Sequence, residues 1–160
     1  MSSISNKNVS VPPSIGLLFD NEKLDMMKTM SFLYACSLQS KKKYRKVSEI
    51  VFYYSLVNFD LINLFQPGNE KKVSKNLYFR FQFKINQILL KLSHLNFIDI
   101  KGNLSDKPAD IAARLTSTGF EFFCGINSDF FSNLIEDYIY ALENVECSAT
   151  NMKMLKGVSQ

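Results

Sequence analysis

The side chains best suited to covalent or metal chemistry are few and scattered. His94 is the one histidine of the 160 residues, and Cys36, Cys124 and Cys147 are the three cysteines. Nucleophilic catalysis needs a thiol or hydroxyl beside a base, and a zinc site needs several such ligands at close spacing. No CxxC, HExxH, GxSxG or GxxxxGK[ST] occurs, and the six glycines form no phosphate-cradling loop. Cys124, between Phe123 and Gly125, reads as a buried structural thiol, and an odd number of widely spaced cysteines gives no disulfide framework. Glu136 and Asp137 read as the hydrated face of a helix. The expectation is a protein that is not an enzyme, with no metal, no cofactor and no small-molecule substrate.

Phosphate contact is the chemistry that the charges can do. Residues 1–80 carry 12 Lys/Arg against 6 Asp/Glu, whereas residues 81–160 carry 7 against 9, so the net +4 is polarised toward the first half. Most of the excess lies in Lys41, Lys42, Lys43, Arg45 and Lys46 and in Lys71, Lys72 and Lys75. Such clusters can neutralise phosphates, or can serve only as solvated loops. The candidates for contact with DNA phosphates are Lys71, Lys72, Ser74 and Lys75, at the start of a helix, with Arg80 and Lys84 on its polar edge. Contacts of this kind are independent of base sequence.

These residues must be positioned by helices. Residues 1–14 are rich in Ser, Asn and Pro and are expected to form a mobile arm. From Asp20 or Asn21, which can cap a helix, Leu24, Met27, Met30, Tyr34 and Leu38 recur at three and four and predict a first helix. After the lysine-rich loop, Ser48-Glu49 opens a second helix of about five turns that Pro67-Gly68 ends. The stretch KNLYFRFQFKINQILLKLSHL forms a third, with Phe81, Ile85 and Leu92 at the centre of its core face. FIDIK and IAARLT then alternate as the strands of a hairpin, joined by a loop near 102–110. Thr116 can cap a short helix through Phe123, and a last helix holds Phe130, Phe131, Leu134, Ile135, Tyr138, Ile139 and Leu142 in line. The tail from Asn144 is polar and is expected to fray.

The order is that of a winged helix-turn-helix, a mostly α fold with a small β-hairpin, here with extra N- and C-terminal helices. A single domain is expected over 15–143, between flexible segments at 1–14 and 144–160. The junction ARLTSTGFEFF, through Leu115, Thr116 and Gly119, resembles the wing-to-helix junction of the MarR and PadR families. Leu115 is expected to point inward, Thr116 to cap orphan N–H groups, and Gly119 to allow close packing.

The third helix lacks the outward polar face of a DNA reader. Opposite its core stripe stand Phe79, Phe83, Asn86 and Leu90, while Arg80, Lys84, Gln87, Lys91 and His94 form only a flank. The second helix likewise shows Phe52, Leu56 and Phe59 opposite Ile50, Tyr54 and Val57. Either the first and last helices cover these second stripes, or a protein partner does, which makes Phe52, Leu56, Phe59, Phe79, Phe83 and Leu90 candidate partner-binding residues. In the hairpin, Asp99, Asp106 and Asp110 offset Lys101, Lys107 and Arg114, unlike a minor-groove arm.

The stretches YRKVSEIVFYYSLVNFDLINLF and NLYFRFQFKINQILLKLSHLNFIDI resemble the small middle component of bacterial ABC-three-component systems, the group that includes the Lamassu-type anti-phage systems. The resemblance implies a winged-helix accessory subunit that bridges a large SMC-like ATPase and an effector, with no catalytic residue carried over. The alternative is a dimeric winged-helix transcription regulator. No run approaches 18 apolar residues, and the opening MSSISNKNVSVPPSIG lacks the basic and apolar regions of a secretory signal, so a soluble cytoplasmic protein without membrane contact is expected.

Overall fold

A computed structural model describes residues 13–65, 75–102 and 111–157. Helix α1 runs Pro13–Gln39. It begins seven residues before the expected cap because Pro13 can occupy a first helical position, where its missing N–H costs nothing and its φ is already helical. Asp20 and Asn21 are therefore interior residues, and 13–14 belong to the helix. Residues 1–12 of the expected arm lie outside the described residues.

The lysine-rich segment, expected to be loop throughout, contains a two-residue strand β1, Arg45–Lys46, which leads directly into α2, Val47–Asn58. Glu49 closes the start of α2 by accepting from the Lys46 N–H at 3.1 Å. The helix is three turns long, not five. Asp60 takes a left-handed φ of 56°, the Asp60 N–H donates to Val57 O at 3.3 Å, and the Leu61 N–H reaches back to Leu56 O at 2.9 Å. That pattern is a Schellman closure. A short 3-10 turn, Ile62–Phe65, follows.

Helix α3 spans Lys75–His94 and closes the same way: Asn96 has φ 63°, its N–H donates to Ser93 O at 2.9 Å, and Phe97 N–H donates to Leu92 O at 3.0 Å. Strands β2, Ile98–Lys101, and β3, Ala112–Leu115, pair antiparallel with Ile98 opposite Leu115, and β1 pairs with the other edge of β3, giving the order β1-β3-β2. Helix α4, Ser117–Cys124, starts under a Thr116 cap whose hydroxyl accepts from Gly119 N at 3.0 Å. Gly119 permits the close approach its spacing suggested: a Cβ there would lie 2.1 Å from Phe97 O. Helix α5 is Asp129–Asn144, and α6, Ala149–Leu155, occupies the segment expected to fray. Ser148 caps α6 and Leu155 is fully buried, so the packed body extends beyond 143.

The chain is thus mostly helical with a small antiparallel sheet. Helix α2 is its central rod, packed by α1, α3, α5 and α6. Phe32, Ile50, Phe52, Leu56, Ile85, Leu89 and Tyr138 form the fully buried centre. Polar ties hold the rods in register. Asn58 Nδ2 donates to Tyr138 Oη at 2.7 Å, Tyr138 Oη donates to Lys28 O at 3.0 Å, and Tyr53 Oη donates to Val145 O at 2.7 Å. Among the described residues no helix is long and apolar enough to cross a membrane.

Candidate partner-docking face of α3

The inner face of α3 is fixed by its own periodicity: Tyr78, Phe81, Ile85, Ile88, Leu89 and Leu92 are buried. Phe81 stacks on Tyr54 of α2 with ring centroids 3.6 Å apart, and Tyr54 Oη donates to Asp25 Oδ1 of α1 at 2.7 Å. With rotation so fixed, the opposite stripe must face outward. Phe83 is 89% exposed, Leu90 42% and Phe79 38%, with Asn86 between them. Together they make an exposed, largely apolar row on a folded body.

The second stripe of α2 has a different fate. Phe52 and Leu56 are fully buried and Phe59 is partly buried against the core, so these three do not form an outward docking row. Other parts of the chain cover them, with the ring of Phe65 in the 3-10 turn 6.3 Å from that of Phe52, centroid to centroid. Of the six partner candidates, the structure keeps Phe79, Phe83 and Leu90 together on one accessible line.

The cationic flank of α3 is partly turned inward. Lys84 Nζ lies 3.3 Å from Asp25 Oδ2, and Lys91 pairs with Glu22, both carboxylates belonging to α1. Arg80 is exposed. Lys71, Lys72 and Ser74 lie outside the described residues, and Lys75 enters as the first residue of α3. In the hairpin, Arg114 is held by Asp99 at 3.7 Å, donates to Lys42 O at 2.7 Å and lies 4.3 Å over the Tyr44 ring. Asp106, Lys107 and Asp110 are outside the described residues. A cleft beside α4, lined by Lys41, Lys42, Arg114, Ser117 and Thr118, also holds Asp99 and Glu121, so two acids offset most of the charge of its three cations.

No family model, curated protein or solved structure matches this chain. Its function must therefore be argued from the surface itself.

A second outward row was missed in the sequence. On α5 the inward residues are Leu134, Tyr138 and Ala141, while Phe130 is 52% exposed and Tyr140 49%. Phe130, expected in line with the core, instead shares a face with Asn133, Asp137 and Tyr140, at spacings of three, four and three. That spacing was legible, but the adjacent Phe131 masked it. Partial burial, and then the neighbouring Glu136, hold the Asp137 carboxyl above its usual range.

The thiols also divide differently from expectation. Cys36 is buried, whereas Cys124 is exposed, its Sγ lying 3.4 Å from Tyr34 Oη. Burial pushes the Cys36 and Cys147 thiols up to about 12. His94 ends α3, where a helix C-terminus favours positive charge. Among the described residues, no three His, Cys, Asp or Glu side chains converge as a metal site.

Proposed function

We propose that this chain is a winged-helix protein whose third helix docks protein where a DNA reader would present base-contacting groups. We propose further that it serves as a non-catalytic adaptor subunit of a multi-protein SMC-like ATPase anti-phage complex, bridging ATPase and effector in the cytoplasm. The observation that carries the docking reading is the outer line Phe79, Phe83 and Leu90 on α3. Base edges are read by hydrogen-bonding side chains, and an aromatic ring exposed to 89% at the centre of that line offers none. The winged-helix reading is supported by the order α1-β1-α2-α3-β2-β3, with β1 completing the sheet on β3. The adaptor reading rests in addition on the family resemblance of the second and third helices.

DNA enters this reading as a non-specific neighbour. Lys84 and Lys91 are engaged by α1 carboxylates, and exposed Arg80 is the phosphate contact we propose among the described residues, beside the sequence candidates Lys71, Lys72, Ser74 and Lys75. A dimeric transcription regulator would need a specific duplex bound at least about a thousandfold more tightly than others.

The test is co-expression of the tagged chain with its neighbouring genes, followed by size exclusion and mass spectrometry. Co-elution of a large ATPase and an effector is expected. Elution without them, together with strong preference for one duplex, would move the assignment to the transcription regulator.

A further inference from the structure

The outward rows of α3 and α5 are similar in length, and the helices that carry them are opposite in charge. On α3, Phe79, Phe83, Asn86 and Leu90 make a line about 16 Å long, and exposed Arg80 stands on its flank, ahead of Lys84 and Lys91, which pair with Asp25 and Glu22 of α1. The helix contains no Asp or Glu. On α5, Phe130, Asn133, Asp137 and Tyr140 make a line about 15 Å long, and Asp129, Glu136 and Glu143 recur every seventh residue along its flank. That helix contains no Lys, Arg or His.

Within one chain the two rows do not cover each other. Both helices turn their buried faces toward α1 and α2, and both rows stay exposed. Covering them from a second copy would bring Phe79, Phe83 and Leu90 against a row that begins with Phe130 and ends with Tyr140. The same arrangement would set Arg80 beside the acidic edge of α5, a charge pattern that orients protein encounters.

We infer that the α3 row of one copy docks on the α5 row of a second copy. The inference rests on the reading of α3 as a protein-docking face and names its occupant. A two-fold arrangement makes the contact twice and closes at a dimer. Phe83 is the central anchor on one side, Tyr140 on the other, and Arg80 faces Glu136 and Glu143 across the edge.

Light scattering and sedimentation of the purified full chain test this directly. The wild-type protein is expected to self-associate. Phe83→Asp and Tyr140→Asp are each expected to weaken that association at least about tenfold while leaving the helical spectrum and melting temperature unchanged. Arg80→Glu should weaken it too, and combining it with Glu136→Arg and Glu143→Arg should restore it. That rescue separates a direct contact from a folding defect. A wild-type chain that stays monomeric to about 100 μM, where an interface of micromolar affinity is filled, overturns the inference. So does an oligomer that survives both aspartate variants. If the monomeric chain still co-purifies with its neighbours and Phe83→Asp releases them, the self-docking inference falls and the adaptor reading stands. If self-association responds as expected but no neighbour co-elutes, the self-docking inference stands and the adaptor reading falls.

Discussion

A methyl group at position 119 has no room. Its carbon would sit 2.1 Å from Phe97 O, and that oxygen already accepts the Thr116 N–H at 3.0 Å, so the backbone cannot retreat without losing a hydrogen bond. Gly119→Ala is expected to cost about 3 kcal/mol, read as a lowered urea midpoint with unchanged slope. The thiols give a second check. Ellman's reagent should modify exposed Cys124 first in the native protein and reach buried Cys36 only on unfolding. Thr116 was legible in the sequence because a cap is local, set by residues three apart, and Gly119 because it stands in that same cap, although the oxygen it approaches belongs to Phe97, just before β2. Phe52 and Phe130 were not, because which side of a helix is covered depends on elements far along the chain. Their side chains are equally apolar, yet one is central to the core and the other faces outward.

At the scale of elements, caps and closures decide where helices stop. Thr116 Oγ1 both accepts from Gly119 N and donates to Asn96 O at 2.7 Å, tying the start of α4 to the end of α3. Thr116→Ala should therefore cost about 1 to 2 kcal/mol, measurable in the same urea titration. The ends of α2 and α3 use Asp60 and Asn96 in left-handed backbone, a place where glycine is the usual signal. The second helix was read too long for that reason, whereas the change to strand alternation at FIDIK marked the end of the third. Strand β1 escaped notice because two residues are too few to show alternation. Helix α6 escaped because its anchor is largely one side chain. Leu155→Ala should lower stability by about 3 kcal/mol in a thermal melt, although the segment looked like a loose tail.

Across the whole molecule, buried acidic protons set the alkaline limit. Burial holds the Cys36 and Cys147 thiols up at about 12 from an ordinary 9.0, and the Tyr53 and Tyr78 hydroxyls up at about 12 from 10.0. The folded chain keeps these protons where the unfolded chain has released them. Stability is therefore fully retained below about pH 9 with respect to these groups, and it falls as pH rises toward 12. Urea midpoints at pH 8, 9 and 10.5 should decline in that order. A flat series would mean that these groups are hydrated in the native state.

Helix α2 is enclosed by α1 before it and by α5 and α6 after it. The hydroxyl of Tyr138 reaches Lys28 across 110 positions, and that of Tyr53 reaches Val145 across 92. During synthesis the central rod therefore waits, one side uncovered, until the last helices leave the ribosome. At ordinary elongation rates that wait lasts on the order of seconds, a period in which apolar surface invites chaperones or aggregation. The newly made chain is most vulnerable until α5 and α6 have emerged and docked.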